Sequence, residues 1–227
     1  MLNELKERVY NANLDLVNHG LVLFTFGNVS GIDREKGWIV IKPSGIDYRQ
    51  MKERDMVVVD LSGKVVEGRY RPSTDTPTHL QLYKAFPEAG GIAHTHSTYA
   101  TAWAQAGKNL PILGTTHADH FSQPIPCTPV MTPEQVEGEY ETATGLLIIH
   151  TFNNLDYRQV PGVLVRSHGP FTWGKDPAEA VYNSVILEEL AHIAYLTLEI
   201  NPESTMNKAL ITKHYRRKHG KDSYYGQ

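Results

Sequence analysis

The stretch Gly90-Gly91-Ile92-Ala93-His94-Thr95-His96-Ser97 constrains this chain more than any other. Two glycines stop the amphipathic run before them, and Ile92-Ala93 reads as a short buried strand. Two histidines then follow at i and i+2. Side chains two apart on an extended backbone share a face, so His94 and His96 can aim both imidazoles at one point while Thr95 turns away. Taken alone, the pair fits surface histidines at a strand end as well as it fits metal ligands. An open catalytic zinc site takes three protein ligands and keeps one position free. The third candidate is His168, in Ser167-His168-Gly169-Pro170 at the end of the strand expected over Val160–Arg166, where the Gly-Pro pair is expected to stop that strand. Asp75, just before a helix, offers a carboxylate fourth ligand or an electrostatic cap for the helix N-terminus.

Hydrophobic spacing supplies the frame. Leu5, Val9, Ala12 and Leu16 recur at helical period, with Gly20 placed as a helix-ending glycine. Leu21–Phe26 and Trp38–Lys42 read as strands. Met56–Asp60 and Lys64–Glu67 read as a hairpin about Ser62-Gly63. A helix is expected from an N-cap at Thr76, with Pro77 in its first turn, to Phe86. Further helices are expected over Thr98–Ala106, Pro133–Phe152, Pro177–Ile200 and from about Glu203 into the tail, with Pro111–Pro126 irregular. Hairpins beside helices predict an α/β fold: one domain over residues 1–227, with a central, mostly antiparallel sheet sandwiched between helix layers.

Composition excludes several classes of function. Twenty-two basic against 25 acidic residues give a net charge of −3, so bulk electrostatics points to no nucleic-acid partner. A single cysteine, Cys127, leaves no intrachain disulfide and fits a reducing compartment. The charged start lacks the apolar core of a signal peptide, and no apolar run reaches the ~18 residues of a membrane span. A cytoplasmic location is expected. Neither a Gly-x-Gly-x-x-Gly after a strand nor a Walker loop occurs, which argues against nucleotide cofactors.

Three turns in the first third of the chain suit an anion. Lys42-Pro43-Ser44-Gly45 combines a cation, a hydroxyl and a permissive backbone, Ser73-Thr74 precedes a helix, and Gly27-Asn28 offers turn amides. Each alone is a common turn. The basic, aromatic tail from His214 to Gln227 is expected to dock, because adjacent tyrosines are costly to leave in water.

Together, Gly27-Asn28-Val29-Ser30, Ile41-Lys42-Pro43-Ser44-Gly45, Asp75-Thr76-Pro77-Thr78-His79, Gly91 to Ser97, Gly114-Thr115-Thr116-His117-Ala118-Asp119, Ser167-His168-Gly169-Pro170 and Tyr224-Tyr225-Gly226-Gln227 carry a resemblance. The chain resembles the class II sugar-phosphate aldolase/epimerase superfamily, on its L-ribulose-5-phosphate 4-epimerase branch. The resemblance implies a class II aldolase-like fold, a cyclic homotetramer with active sites between subunits, and a sugar-phosphate substrate. It implies Zn2+ on His94, His96 and His168 with Asp75 on or beside the metal; Mn2+ and Co2+ also suit three imidazoles. Gly27, Asn28, Lys42, Ser44, Gly45, Ser73 and Thr74 match the substrate-binding positions, which hold the phosphate. Asp119 and Tyr225 match the acid/base pair, the tyrosine arriving from a neighbouring subunit. Thr115, His214 and Arg217 match accessory residues. Two departures are Thr74, where the family pattern has serine, and His120, where relatives have tyrosine.

The implied reaction inverts C4 of L-ribulose 5-phosphate, giving D-xylulose 5-phosphate, by zinc-assisted retro-aldol cleavage and re-formation of C3–C4. The competing enzyme reading is a class II aldolase of the fuculose or rhamnulose phosphate type, in which a glutamate stands where this chain has Asp75. A non-catalytic module like the head of adducin is the reading from another class; that relative lacks the metal histidines.

Overall fold

The computed structural model describes residues 2–221, 223 and 224. Among them lies one seven-stranded sheet in the order β4-β3-β2-β1-β5-β7-β6, with every ladder antiparallel. The strands are β1 Asn28–Asp33, β2 Trp38–Ile41, β3 Val57–Asp60, β4 Val65–Glu67, β5 Gly91–His94, β6 Gly162–Val165 and β7 Gly169–Gly174. The helices are α1 Leu2–Asn18, α2 Thr76–Ala85, α3 Thr98–Ala106, α4 Thr115–His120, α5 Pro133–Glu137, α6 Tyr140–Thr151, α7 Pro177–Ile200 and α8 Lys208–His219.

Strand alternation builds a core on each face. Ile39, Val57, Val59 and Ile92 point into one, shared with α2, α3, α6 and the later part of α7. Val40, Val58, Val29 and Ala93 point into the other, beneath α1 and the start of α7. The expected α/β sandwich is the observed architecture.

Several local expectations are corrected. Leu21–Phe26 is not a strand: Phe24 takes a positive φ of 54°, and Leu23, Phe24 and Phe26 are exposed. The strand starts instead at Asn28. Asp75, not Thr76, is the N-cap of α2; the Thr76 hydroxyl donates to Ser73 O at 2.6 Å. The segment Pro111–Pro126 contains the short helix α4. The helix expected over Pro133–Phe152 is split into α5 and α6 at Gly138-Glu139. Gly169-Pro170 does not end the sheet but opens β7, and Ser167 turns the β6–β7 hairpin with φ 61°. The last helix begins at Lys208 rather than Glu203.

Strand β5 is an inner strand, paired to β1 on one side and β7 on the other. At its last residue His94 stands opposite Asn28 on β1 and Phe171 on β7. Its first residues run hard against the start of α7. A Cβ on Gly90 would lie 2.0 Å from Lys175 O, and one on Gly91 2.4 Å from the Asp176 carbonyl.

Candidate active site

Three histidines converge where β5 and the β6–β7 hairpin end. One ring nitrogen from each of His94, His96 and His168 lies within 4.8 Å of the others. Ring centroids are 4.7 to 5.0 Å apart. His94 is stacked on Phe171 at 4.1 Å, and its Nδ1 donates to Pro170 O at 2.9 Å. That bond fixes the tautomer and leaves a lone pair on Nε2, which sits 3.0 Å from His96 Nε2. Two imidazole nitrogens about 2.0–2.1 Å from one tetrahedral ion lie ~3.3 Å apart, so the spacing fits a shared divalent ion. Protonation favours the same role. Burial, then the neighbouring imidazoles, press His168 down to about 4, and the same causes lower His96, so both are neutral near pH 7.

Asp75 lines the same cleft but is not among the converging donors. Its Oδ2 accepts from Asn28 Nδ2 at 2.6 Å. Burial pushes its carboxyl up, but His94, His79 and the Asn28 bond together hold it below the usual carboxylate range. It is therefore a fixed negative charge beside the imidazoles.

The cleft encloses about 450 Å³. Its far wall is two loops stitched together: Ser44 N donates to Arg71 O and Ser73 N to Lys42 O, both at 2.9 Å. This brings Ser44, Gly45, Ser73 and Thr74 side by side with Gly27 and Asn28. Gly27 has φ 73°, and a Cβ there would lie 2.9 Å from His94 O, so only glycine lets the loop pass this close to β5. Lys42 forms the floor. It is buried, with Nζ 3.1 Å from Thr25 O and 4.6 Å from the Tyr48 ring centroid. Burial lowers it to about 8, against the opposing pull of Asp47 and Asp75.

That lysine gives a signed pH prediction. Below about pH 8 the ammonium is present for an anion, and it is lost as pH rises through that value. Affinity for inorganic phosphate, measured by calorimetry, should fall from pH 7 to pH 9 more steeply in wild type than in Lys42→Met. Parallel profiles would show that Lys42 does not set the response.

Other sequence expectations land elsewhere. Asp119 does not line this cleft. Its carboxylate takes a bidentate pair from Arg217 at 2.9 and 3.2 Å and a contact from His214 Nδ1 at 3.0 Å, all within the chain. Burial raises its carboxyl, but Arg217 and His214 outweigh this and leave it low. His219 Nε2 donates to Asp119 O at 2.8 Å, so α8 is docked on α4, but the tyrosine burial expected to drive docking fails at Tyr224, which stays 65% exposed. Thr115 is exposed at the start of α4. His120 faces Lys218, not the Asp119 carboxylate; burial and Lys218 lower it to about 4. Tyr224 is exposed, and Tyr225 lies outside the described residues.

Sequence reasoning missed Tyr140 and Glu141, which line the cleft from the first turn of α6, and Thr25 and Phe26 from the loop before β1. It also passed over His79. That ring is fully buried beneath the site, with Nδ1 2.7 Å from Ser30 Oγ, and burial drives it to about 3. The spacing Asp75/His79, one helical turn on α2, was the available signal.

Residues 7–195 match the model of the Class II Aldolase and Adducin N-terminal domain. Among solved structures, an L-fuculose 1-phosphate aldolase is 27% identical, covering 94% of this chain and 95% of its own, with a TM-score of 0.79. An l-fuculose-1-phosphate aldolase from Thermus thermophilus is 23% identical, covering 89% and 100%, with a TM-score of 0.71. YgbL from Klebsiella pneumoniae is 22% identical, covering 92% and 97%, with a TM-score of 0.75. The last two are likenesses of fold. No helix among the described residues is long and apolar enough to cross a membrane.

Proposed function

From the premise that this chain belongs to the class II aldolase and adducin N-terminal domain family, we propose that it is a divalent-metal enzyme acting on a sugar phosphate. More narrowly, we propose an L-ribulose-5-phosphate 4-epimerase using zinc. The observation that carries the reading is the convergence of three imidazoles beside a hydroxyl-lined cleft floored by one buried lysine.

C4 of the substrate is not adjacent to its carbonyl, so its hydrogen is not acidic and simple proton exchange does not invert it. The β-hydroxy ketone can instead break between C3 and C4. His94, His96 and His168 would hold a divalent ion, which when bound would supply Lewis acidity for the negative charge that cleavage leaves beside the carbonyl. The chain supplies the rest. Asp75, low in pKa and held by Asn28, keeps the imidazoles in a negative field. Lys42, with Ser44, Gly45, Ser73 and Thr74, tethers the phosphate so that the aldehyde fragment stays while it turns its other face. One group takes the C4 hydroxyl proton and a second, on the opposite face, returns one; Asp119 and Tyr225 are assigned to these steps. Asp119 does not line the cleft of its own chain, where His214 and Arg217 hold its carboxylate, so its assignment rests on the resemblance, as does that of a tyrosine arriving from a neighbouring subunit.

Lys42→Met should raise KM for the sugar phosphate about 10- to 100-fold, the loss of one charge-assisted contact of ~1.5–3 kcal/mol, with a smaller change in kcat. An unchanged KM would remove Lys42 from the phosphate site.

The deciding assay follows products. Metal-loaded protein given L-ribulose 5-phosphate should yield D-xylulose 5-phosphate without free glycolaldehyde phosphate. Release of dihydroxyacetone phosphate and an aldehyde from a ketose 1-phosphate, with no epimerisation, would assign the aldolase activity instead. The 27% identity to an L-fuculose 1-phosphate aldolase makes that the second reading.

A further inference from the structure

His94 and His168 are held in different ways. His94 sits in the sheet, pinned by the Pro170 carbonyl and the Phe171 ring. His168 sits on the β6–β7 turn, next to a residue at φ 61°, and its ring meets Phe171 only edge-on, at 6.1 Å. The Tyr140 hydroxyl lies 3.2 Å from its Nδ1, with the two rings tilted 36° at 6.1 Å.

Tyr140 is well placed to hold that ring. It opens α6 directly after the break at Gly138-Glu139. The helix is docked tightly on α2: Thr78 Oγ1 donates to Glu141 O at 2.7 Å, and a Cβ on Gly145 would meet Gln81 Cβ at 2.7 Å. The hydroxyl therefore projects from a helix that cannot easily shift relative to the Asp75 end of α2. A phenol, with a reference pKa of ~10, is a neutral hydroxyl at pH 7, able to accept one hydrogen bond.

We propose that Tyr140 is a positioning residue: its hydroxyl accepts the Nδ1–H of His168, fixes that ring's tautomer and commits Nε2 to a divalent ion. The metal role rests on the reading of the site given above; the tautomer does not.

Tyr140→Phe keeps the ring and removes only the acceptor. Two measurements test it. In the metal-free protein, imidazole nitrogen chemical shifts should show His168 as the Nδ1–H form in wild type. In the variant the Nε2–H form should appear, with the melting temperature of the metal-free protein unchanged. Zinc affinity by chelator competition should weaken about 10- to 100-fold, and the visible spectrum of the Co2+-loaded protein should change. An unchanged His168 tautomer and unchanged affinity would overturn the proposal, as would a fall in affinity matched by a fall in melting temperature of the metal-free protein. Wild type that shows the expected tautomer shift but takes up no zinc would sink the metal reading while leaving the hydrogen bond standing.

Discussion

His96→Ala should lower turnover at least ~1,000-fold and reduce bound metal, while leaving the melting temperature of the metal-free protein close to wild type. The rate loss corresponds to about 4 kcal/mol of barrier. Three imidazoles are the minimum for an open catalytic site, so deleting one leaves two ligands and no fixed geometry. His96 is the right member to remove. It is exposed, whereas His94 is 2% exposed and packs on Phe171. Truncating His94 would open a cavity under the sheet and mix folding with function. Truncating His96 should cost far less, because its ring is the most exposed of the three and packs at the cleft edge against Phe26 and the other two imidazoles. Metal analysis, turnover and thermal melting on one preparation separate the effects. Near-normal turnover by a variant that has lost its metal would exclude the metal from the reaction.

The second large effect is on stability. Gly91→Ala should cost about 3 kcal/mol, close to a 150-fold change in the folded-to-unfolded ratio, read as a lower midpoint in denaturant. The added methyl would meet backbone atoms of Asp176 and Pro177 at 2.4 Å, and backbone cannot swing aside as a flexible side-chain end can. Either β5 slides away from the start of α7 or α7 retreats. Both disturb the strand that ends in His94. Gly45→Ala serves as contrast. Its Cβ would meet nothing within 4 Å, so only the φ of 69° opposes it, at roughly 1 kcal/mol. Equal midpoints for the two variants would refute the packing argument.

The pair His94/His96 was legible because side chains two apart on extended backbone share a face, even though β5 itself ends at His94 and His96 follows just beyond it. Trp38–Lys42 was legible as a short β-branched apolar run, and the hairpin by its Ser62-Gly63 turn between two such runs. Leu21–Phe26 was not: an apolar run reads as a strand, but nothing in its pattern reveals that Phe24 adopts a left-handed backbone. The short helix α4 escaped because Thr-Thr-His-Ala-Asp-His has weak helical preference, and tertiary contact with α8 holds it. Pro170 misleads differently. After a glycine it reads as a stop, yet it pairs with Leu164 in β7 while its carbonyl accepts from His94. Tyr140 lies 28 residues from His168 and Asp119 95 from His214, so only the fold brings these partners together. For the residues proposed to hold phosphate, the turns were readable but their stitching through Ser44 and Ser73 was not.

The placement of the two halves of the cleft has a consequence for how such an enzyme can diversify. His94 belongs to a ladder flanked by strands on both sides, whereas Ser44, Gly45 and Thr74 hang from loops joined by a pair of amide contacts. Loops tolerate insertion and drift far better than inner strands. Under the function proposed above, longer or shorter sugars would be accommodated by remodelling the rim, with the reacting carbons delivered to the same anchored corner each time.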